Sequence, residues 1–172
     1  MRIVPVEPHH IPALSVLAED TFTESFGHLY PPQDLAAFVA KSYAVPQLAI
    51  ETVDPANFWR LVLDTDQRPI AYLQCGPVTL PHPSADRVRE GELKRIYVRR
   101  SHQGLKLGKT LLQLALGWMQ ERYGDAAQWI GVYGENHRAQ ALYAAYGFKR
   151  VGDYRFAVGE TLDEEFILSR QP

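Results

Sequence analysis

The sequence predicts a single mixed α/β domain with about seven strands. Its 172 residues are enough to bury one hydrophobic core without a metal or a disulfide. Hydrophobic residues make up 46% and charged residues 22%, which is ordinary for a globular chain. Turn residues recur along the sequence, and there is no repeat, low-complexity tract or linker. We therefore expect one domain spanning residues 1–172.

The first half of the chain alternates between strand and helix patterns. Alternating apolar residues predict strands at 2–6, 58–64 and 70–78, with a hairpin turn at 65–69 between the last two. Apolar residues at helical spacing predict helices at 9–23, 32–42 and 46–53. Pro32 occupies the favoured first turn of the second helix, and Asp54-Pro55 ends the third. The proline-rich, charged segment 80–91 is expected to be an exposed loop.

The second half contains two predicted helices and four predicted strands, one of which has a fault in its alternation. The strands cover 92–99, 129–133, 151–158 and 162–169, and the helices cover 107–123 and 137–146. Gly124 and Gly147 end the helices. In the strand 92–99, Leu93 is apolar at an odd position, whereas Ile96 and Val98 are apolar at even positions. An extra residue between them, a β-bulge, restores the alternation.

Composition and charge disfavour several classes of function. A net charge of −2 argues against nucleic acid as the main partner, because binding to phosphate backbones depends on basic residues. Pro5 and Glu7 stand where a signal peptide would be apolar, and no later run has membrane-spanning length, so we expect a cytoplasmic protein with no membrane partner. Cys75, the only cysteine, is expected to be a buried structural thiol. The histidines lack metal-ligand spacing, so no metal is assigned. A homodimer is compatible with the sequence.

A glycine-containing segment from Gln103 to Thr110 lies where a strand gives way to a helix. Glycines there let unpaired backbone N–H groups approach an anion, so this segment is expected to bind phosphate. Gly108-Lys109-Thr110 matches the end of a Walker A loop, but Gln103 stands where that motif requires its first glycine. No apolar strand ending in a magnesium-binding aspartate accompanies it. A nucleoside triphosphatase is therefore disfavoured.

The same segment resembles the pyrophosphate loop Q/R-x-x-G-x-G/A of GNAT acetyltransferases, which follows a bulged strand. Gln103, Gly104 and Gly108 match, whereas Lys106 replaces the central glycine. If that residue must adopt a positive φ, lysine is disfavoured there. If only its N–H is needed, lysine costs little and adds a charge near phosphate.

A second segment, residues 136–148, resembles the GNAT signature N-x-x-A-x-x-L-Y-x-x-x-G-F. Asn136 is an N-cap candidate, Ala139 and Leu142 are expected to pack inward, and Gly147 ends the helix before Phe148. Further stretches, at 21–30, 34–38, 93–98 and 156–163, resemble the spermidine/spermine acetyltransferase-like branch of the superfamily. The resemblance covers nearly the whole chain. It implies a GNAT-like fold: a mixed, mostly antiparallel sheet with helices on both faces and bulged, splayed central strands.

The resemblance also implies where acetyl-CoA would bind. The pantetheine arm would pair with the backbone of the bulged strand, and the pyrophosphate with the amides of the glycine-containing loop. The expected coenzyme-binding residues are Ile96, Tyr97, Val98, Gln103, Gly104, Leu105, Lys106, Leu107, Gly108, Lys109, Asn136 and Tyr143. A plain helix cap is an equally good account of Asn136.

Catalytic roles follow from the same resemblance. Direct transfer without a covalent enzyme intermediate needs a neutral amine, donors for the oxyanion and a proton for the departing thiolate. Tyr143 occupies the position of the tyrosine acid of many GNAT enzymes, although a purely structural tyrosine fits the same pattern. Glu92 is the candidate base, with a solvated surface glutamate as the alternative. Phe22, Glu24 and Tyr30 are expected to bind the acceptor substrate.

The expected function is transfer of the acetyl group of acetyl-CoA to an amine of a small molecule, with a polyamine as the first guess. A peptide or protein N-acetyltransferase stays open, because the same core with a wider acceptor groove would serve it. A non-catalytic module that senses acyl-CoA is the third alternative, and the retention of Tyr143 speaks against it.

Overall fold

The computed structural model describes residues 1–172. The strands are β1 (Arg2–Pro5), β2 (Phe58–Leu63), β3 (Pro69–Pro77), β4 (Gly91–Val98), β5 (Gln128–Tyr133), β6 (Lys149–Val158) and β7 (Thr161–Arg170). The helices are α1 (Ile11–Phe26), α2 (Pro32–Ser42), α3 (Val45–Val53), α4 (Leu107–Tyr123) and α5 (His137–Ala144). None of these helices has the length and hydropathy of a membrane-spanning segment. Every helix and strand expected from the sequence is present, and α2 and α4 have the predicted bounds.

The strands form one seven-stranded sheet in the order β1-β2-β3-β4-β5-β7-β6. All neighbouring strands are antiparallel except β4 and β5, which are parallel and are connected through α4. Helices α1, α2 and α3 cover one face of the sheet, and α4 and α5 cover the other. The predicted fold class is confirmed.

Alternation along the strands divides the core between the two faces. In β3, Leu73 and Cys75 belong to the core under α4, whereas Tyr72 belongs to the core under α1. Leu112 of α4 and Leu17 of α1 are fully buried in these two cores. Full burial of one leucine contributes about 2 kcal/mol. The sheet is therefore held by packing on both sides.

The predicted bulge lies at Lys94 in β4. Gln74 of β3 is opposite Arg95 and Cys75 is opposite Leu93, so Lys94 has no partner in this ladder. On its other edge, β4 pairs with β5 only through Gly91–Gln128, Glu92–Trp129 and Leu93–Ile130. Beyond the bulge the two strands separate, and the sheet is split at its centre.

Three local features differ from the sequence prediction. Helix α1 continues to Phe26 rather than residue 23, because the Phe26 ring packs against the core under α1. Helix α5 ends at Ala144, since the N–H of Tyr146 donates to the carbonyl of Tyr143 in a tighter, 3-10-type turn. Residues 80–90 of the expected loop 80–91 lack helix and strand, but Gly91 already belongs to β4, and Leu80 is buried in a small third core.

The β6–β7 hairpin is fastened to α2. The hydroxyl of Thr161 donates to the carboxylate of Asp34 at 2.7 Å. Phe38 of α2 contacts Phe156 of β6, with ring centroids 5.7 Å apart. The hairpin therefore closes one side of the space between α2 and the sheet.

Replacing Gly159 in the β6–β7 turn with alanine is expected to lower the free energy of unfolding by about 3 kcal/mol. Gly159 has φ +61°, and a Cβ there would lie 2.5 Å from Cα of Asp34, so backbone strain and overlap with α2 both oppose a side chain. Gly147→Ala is the matched control, because Gly147 has φ +87° but no atom within 4 Å of such a Cβ. The control should cost only about 1 kcal/mol. Urea unfolding followed by circular dichroism measures both variants, and equal losses would contradict the close approach of the turn to α2.

Candidate functional site

A cleft of about 1550 Å³ opens where β4 and β5 separate. Because the N–H of Arg99 donates to Ile70 of β3, alternation directs the backbone groups of Ile96 and Val98 away from β3 and into the gap. Tyr97 between them pairs with β3, and its ring lines the cleft from the α1 side. The gap therefore presents an unpaired strand edge to a ligand.

The cleft has two halves of different character. We call the half bounded by residues 103–109 and 136–143 the anion half. We call the other half, under α1 and α2, the aromatic half. Its rings belong to Phe22, Phe26, Tyr30, Phe38, Tyr43, Tyr97, Tyr133, Tyr154 and Phe156. The two halves meet at the split between β4 and β5.

In the anion half, the backbone N–H groups from Gly104 to Lys109 donate to no atom of the chain. The first helical bond of α4 is donated by Thr110, to the carbonyl of Lys106 at 3.0 Å. The free N–H groups lie at the positive end of the α4 dipole, which is a favourable place for phosphate. The loop residues that line the cleft are Gln103, Gly104, Lys106, Leu107, Gly108 and Lys109. The structure thus brings these predicted residues together.

Lys106 adopts the left-handed conformation, with φ 62° and ψ 9°. The position that resembles a glycine position therefore does require a positive φ, and lysine carries about 1 kcal/mol of strain there. Strain of this kind persists at ligand sites, where the surrounding structure enforces it. The lysine also places a cation beside the free N–H groups, which favours an anion.

Asn136 caps α5 and also lines the cleft. Its Oδ1 accepts the N–H of Ala139 at 3.1 Å. Arg138, which the sequence analysis did not single out, lines the cleft and donates to the side-chain oxygen of Gln103 at 3.2 Å. This contact joins the start of α5 to the loop across the anion half.

Tyr143 is only 6% exposed, yet it lines the cleft. Its ring packs against Phe148 in the core under α4, with centroids 6.2 Å apart. Burial raises the pKa of the phenol well above its ordinary value. The hydroxyl therefore keeps its proton throughout the neutral pH range, as a proton donor must.

Glu92 is buried at the wall of the cleft and is engaged by neighbouring groups. Its Oε2 accepts the N–H of Thr79 at 2.7 Å and the hydroxyl of Thr79 at 3.0 Å. The Nζ of Lys94 lies 3.4 Å from the same oxygen. These contacts fix the carboxylate and supply it with a cation.

Two of the predicted site residues do not line the cleft. Phe22 and Tyr30 do line it, but Glu24 lies in a separate polar depression, where its carboxylate accepts the N–H of Arg100 at 2.8 Å. The reason is helical geometry, because residues two apart on α1 point in different directions. Leu105 points its side chain outward and is 53% exposed, so only its N–H belongs to the anion half.

Glu165 and Tyr154 belong to the aromatic half and were not singled out from the sequence. The hydroxyl of Tyr154 donates to Glu165 at 2.5 Å. A signal for them was present in β7, where alternation places Asp163, Glu165 and Ile167 on one face. A strand whose inward positions change from apolar to acidic indicates that the core gives way to a polar cavity.

The remaining reactive side chains form neither a second catalytic centre nor a metal site. Cys75 is fully buried in the core under α4, as predicted. Burial, with the nearby charge of Glu92, raises the pKa of its thiol well above the usual value, which disfavours the nucleophilic thiolate. Histidine, cysteine, aspartate and glutamate side chains make no group of three or more able to hold a metal ion.

Comparison with known proteins gives a family match over most of the chain. The family described as Acetyltransferase (GNAT) family matches residues 13–148. An uncharacterized N-acetyltransferase of Lactobacillus delbrueckii subsp. lactis is 28% identical over 170 residues, covering 99% of this chain and 96% of the relative. An uncharacterized N-acetyltransferase of Mycobacterium tuberculosis is 25% identical over 160 residues, covering 92% of this chain and 95% of the relative.

Solved structures share the fold. The PaiA N-acetyltransferase from Thermoplasma acidophilum, in complex with coenzyme A, superposes with a TM-score of 0.77 at 18% identity, covering 99% of this chain and 98% of that one. The ribosomal-protein-S18-alanine N-acetyltransferase from Escherichia coli gives 0.70 at 19% identity, covering 99% and 92%. At these low sequence identities, both similarities show a shared fold only.

Gly108→Glu is expected to weaken coenzyme A binding at least about tenfold, because a carboxylate would enter the site of an anion. Nothing lies within 4 Å of a Cβ built at Gly108, so the variant should fold. Gly117→Glu is the matched control: it lies in the same helix, is exposed, and also has open space around its Cβ. Titration calorimetry compares the two variants. Unchanged affinity in folded Gly108→Glu would remove the phosphate assignment.

Proposed function

The chain belongs to the Acetyltransferase (GNAT) family and is an acetyl-CoA-dependent N-acetyltransferase, and on this premise we propose that its acceptor is a primary amine of a small molecule. Polyamines are the first candidates. The stretches that resemble the spermidine/spermine acetyltransferase-like branch include Phe22, Tyr30 and Phe156, which line the aromatic half.

The observation that carries the proposal is the closure of the aromatic half by the β6–β7 hairpin. The hydroxyl of Tyr30, after α1, donates to Asp163 of β7. The bond between Thr161 and Asp34 fastens the hairpin to α2 on the same side. An extended peptide needs an open groove or a free strand edge along its length. A space closed on one side by the contacts of the β6–β7 hairpin with Tyr30 and α2 favours a small molecule.

The residues of the anion half fit the coenzyme. Acetyl-CoA supplies the thioester carbonyl that an amine attacks and the thiolate that leaves. The free N–H groups from Gly104 to Lys109 would bind its pyrophosphate, and the gap-facing backbone of Ile96 and Val98 would pair with its pantetheine arm. A gap-facing N–H of this edge would also stabilise negative charge developing on the carbonyl oxygen.

We assign Tyr143 as the donor of the proton to the departing thiolate. The thiol of Cys75 has no chemical role in this proposal. Tyr143 combines access to the cleft with a phenol that is protonated at neutral pH, so a proton is available for the departing thiolate. Glu92, the base candidate from the sequence, contributes a fixed carboxylate to the wall. Transfer then proceeds directly from donor to acceptor.

A panel of acceptors tests the proposed substrate class. With acetyl-CoA present, spermidine and putrescine are expected to release coenzyme A thiol at least about tenfold faster than short peptides. A peptide would leave a polar contact of the acceptor site unmade, and such a loss lowers the rate about tenfold or more. Thiol release is followed with a chromogenic disulfide. Faster turnover of peptides would favour the peptide alternative, and binding of acetyl-CoA without turnover of any amine would favour the sensor.

Tyr143→Phe isolates the proposed proton donation, because the ring and its packing are kept and only the hydroxyl is lost. Turnover is expected to fall about 100-fold, while coenzyme affinity is retained. The loss should be equal for every acceptor, since the leaving thiolate is the same. Tyr146→Phe is the control on the neighbouring turn, which does not line the cleft. Full activity of Tyr143→Phe, under conditions where chemistry limits the rate, would leave Tyr143 with a structural role.

A further inference from the structure

Two of the carboxylates that line the cleft are neutralised by cations of the chain itself. Glu51 accepts from Arg95 at 2.8 Å. Glu92 lies 3.4 Å from Lys94 and is also bonded to Thr79. Neither carboxylate is free to bind a cationic group without losing a partner.

Glu165 lines the same cleft and has no such cation. Its Oε2 accepts the hydroxyl of Tyr154, and no lysine, arginine or histidine nitrogen lies within 4.0 Å of the carboxylate. Asp163, on the same face of β7, likewise accepts only a hydroxyl, that of Tyr30. The aromatic half therefore carries negative charge that the chain does not neutralise.

Glu165 lies beside the split in the sheet. It is opposite Tyr133 in the β5–β7 ladder, three residues beyond Ile130, the last residue of β5 that pairs with β4. A Cβ at Gly131 would lie 2.8 Å from the hydroxyl of Tyr154 and 3.3 Å from Oε2 of Glu165. Glycine at this position thus makes room for the Tyr154–Glu165 pair against β5, at the point where β5 leaves β4.

The surroundings of Glu165 do not favour its charge. Burial raises the pKa of the carboxyl, and the charges of Asp163 and Glu92 raise it further, while the bond from Tyr154 lowers it. Tyr30 and Tyr97 are the other titratable groups that interact with it. A raised pKa means that the charged form is disfavoured in the folded protein, so stability is lost as the pH rises through that pKa. A gain in stability therefore does not explain why a carboxylate stands at position 165. A cation from outside the chain would compensate its charge.

We propose that Glu165, positioned by the hydroxyl of Tyr154, binds the ammonium group of the acceptor and accepts a proton from it. The inference rests on the proposed function. One ammonium proton passes to the Glu165 carboxylate and then to water. As the C–N bond forms and the C–S bond breaks, Tyr143 protonates the sulfur and regains a proton from the nitrogen, so that an ammonium and a thioester give an amide, a thiol and one released proton.

Binding of spermidine to the coenzyme A-bound protein tests recognition without any turnover. Glu165→Gln is expected to weaken spermidine binding at least about tenfold, with unchanged affinity for coenzyme A. Glu164→Gln is the matched control, because Glu164 immediately precedes Glu165 in β7 and is exposed. Calorimetry with equal spermidine affinity in wild type and Glu165→Gln, or with no spermidine binding by wild type, would overturn the proposal.

The pH profile of kcat/KM for spermidine tests the proton transfer. Wild type should lose activity on the acid side as Glu165 becomes protonated, and Glu165→Gln should lose at least about 100-fold in kcat/KM together with this limb. Tyr154→Phe keeps the carboxylate but removes the bond that lowers its pKa, so its acid limb should move to higher pH. An acid limb that disappears in Glu92→Gln but persists in Glu165→Gln would overturn the assignment. Absence of turnover by wild type with every amine would contradict the proposed function, and the binding experiment would still decide the role of Glu165.

Discussion

The early end of the β4–β5 ladder is the constraint on which the rest of the structure depends. Pairing stops at Leu93 and Ile130, because Lys94 is an extra residue that redirects β4. A split in the centre of a sheet exposes strand edges, which is costly unless the freed N–H and C=O groups find partners. Packing on both faces keeps the strands in place despite the missing ladder. The unpaired edge of β4 then becomes the part of the fold that receives a ligand.

Charge is divided across this split in a way that total composition conceals. The chain has a net charge of only −2. The anion half concentrates free N–H groups, a helix N-terminus and the side chains of Lys106 and Lys109. The aromatic half contains Glu165, Asp163 lies two residues before it on the same face of β7, and neither carboxylate is paired with a cation. A low-dielectric cleft strengthens both fields. The proposed anionic donor and cationic acceptor would therefore bind in opposite halves and meet where β4 and β5 separate.

The sequence predicted the features that depend on local pattern. Helical periodicity located α2 and α4, and the alternation fault between Leu93 and Ile96 predicted the bulge in β4. Features that depend on distant packing were less accessible. The side-chain direction of Glu24 is set by which face of α1 is buried, and the pairing of Tyr154 with Glu165 depends on the β6–β7 register. The first requires the observed end of α1 at Phe26 rather than residue 23, and the second requires a register that spacing along the chain does not give.

Local rules of stability are broken mainly along this cleft. Lys106 holds a backbone conformation that lysine disfavours, and Glu165 keeps a buried carboxylate without a cation. Gln74, which also lines the cleft, has a buried side-chain oxygen with no hydrogen-bond partner. Sequences usually resolve such conflicts unless a function retains them. A cation beside Glu165 and a hydrogen-bond donor beside Gln74 would satisfy two of these groups, and an anion bound beside Lys106 would offset the cost of its strained backbone. Their distribution on both sides of the split supports the proposal that each half binds one ligand, since direct transfer requires a bound donor and a bound acceptor side by side.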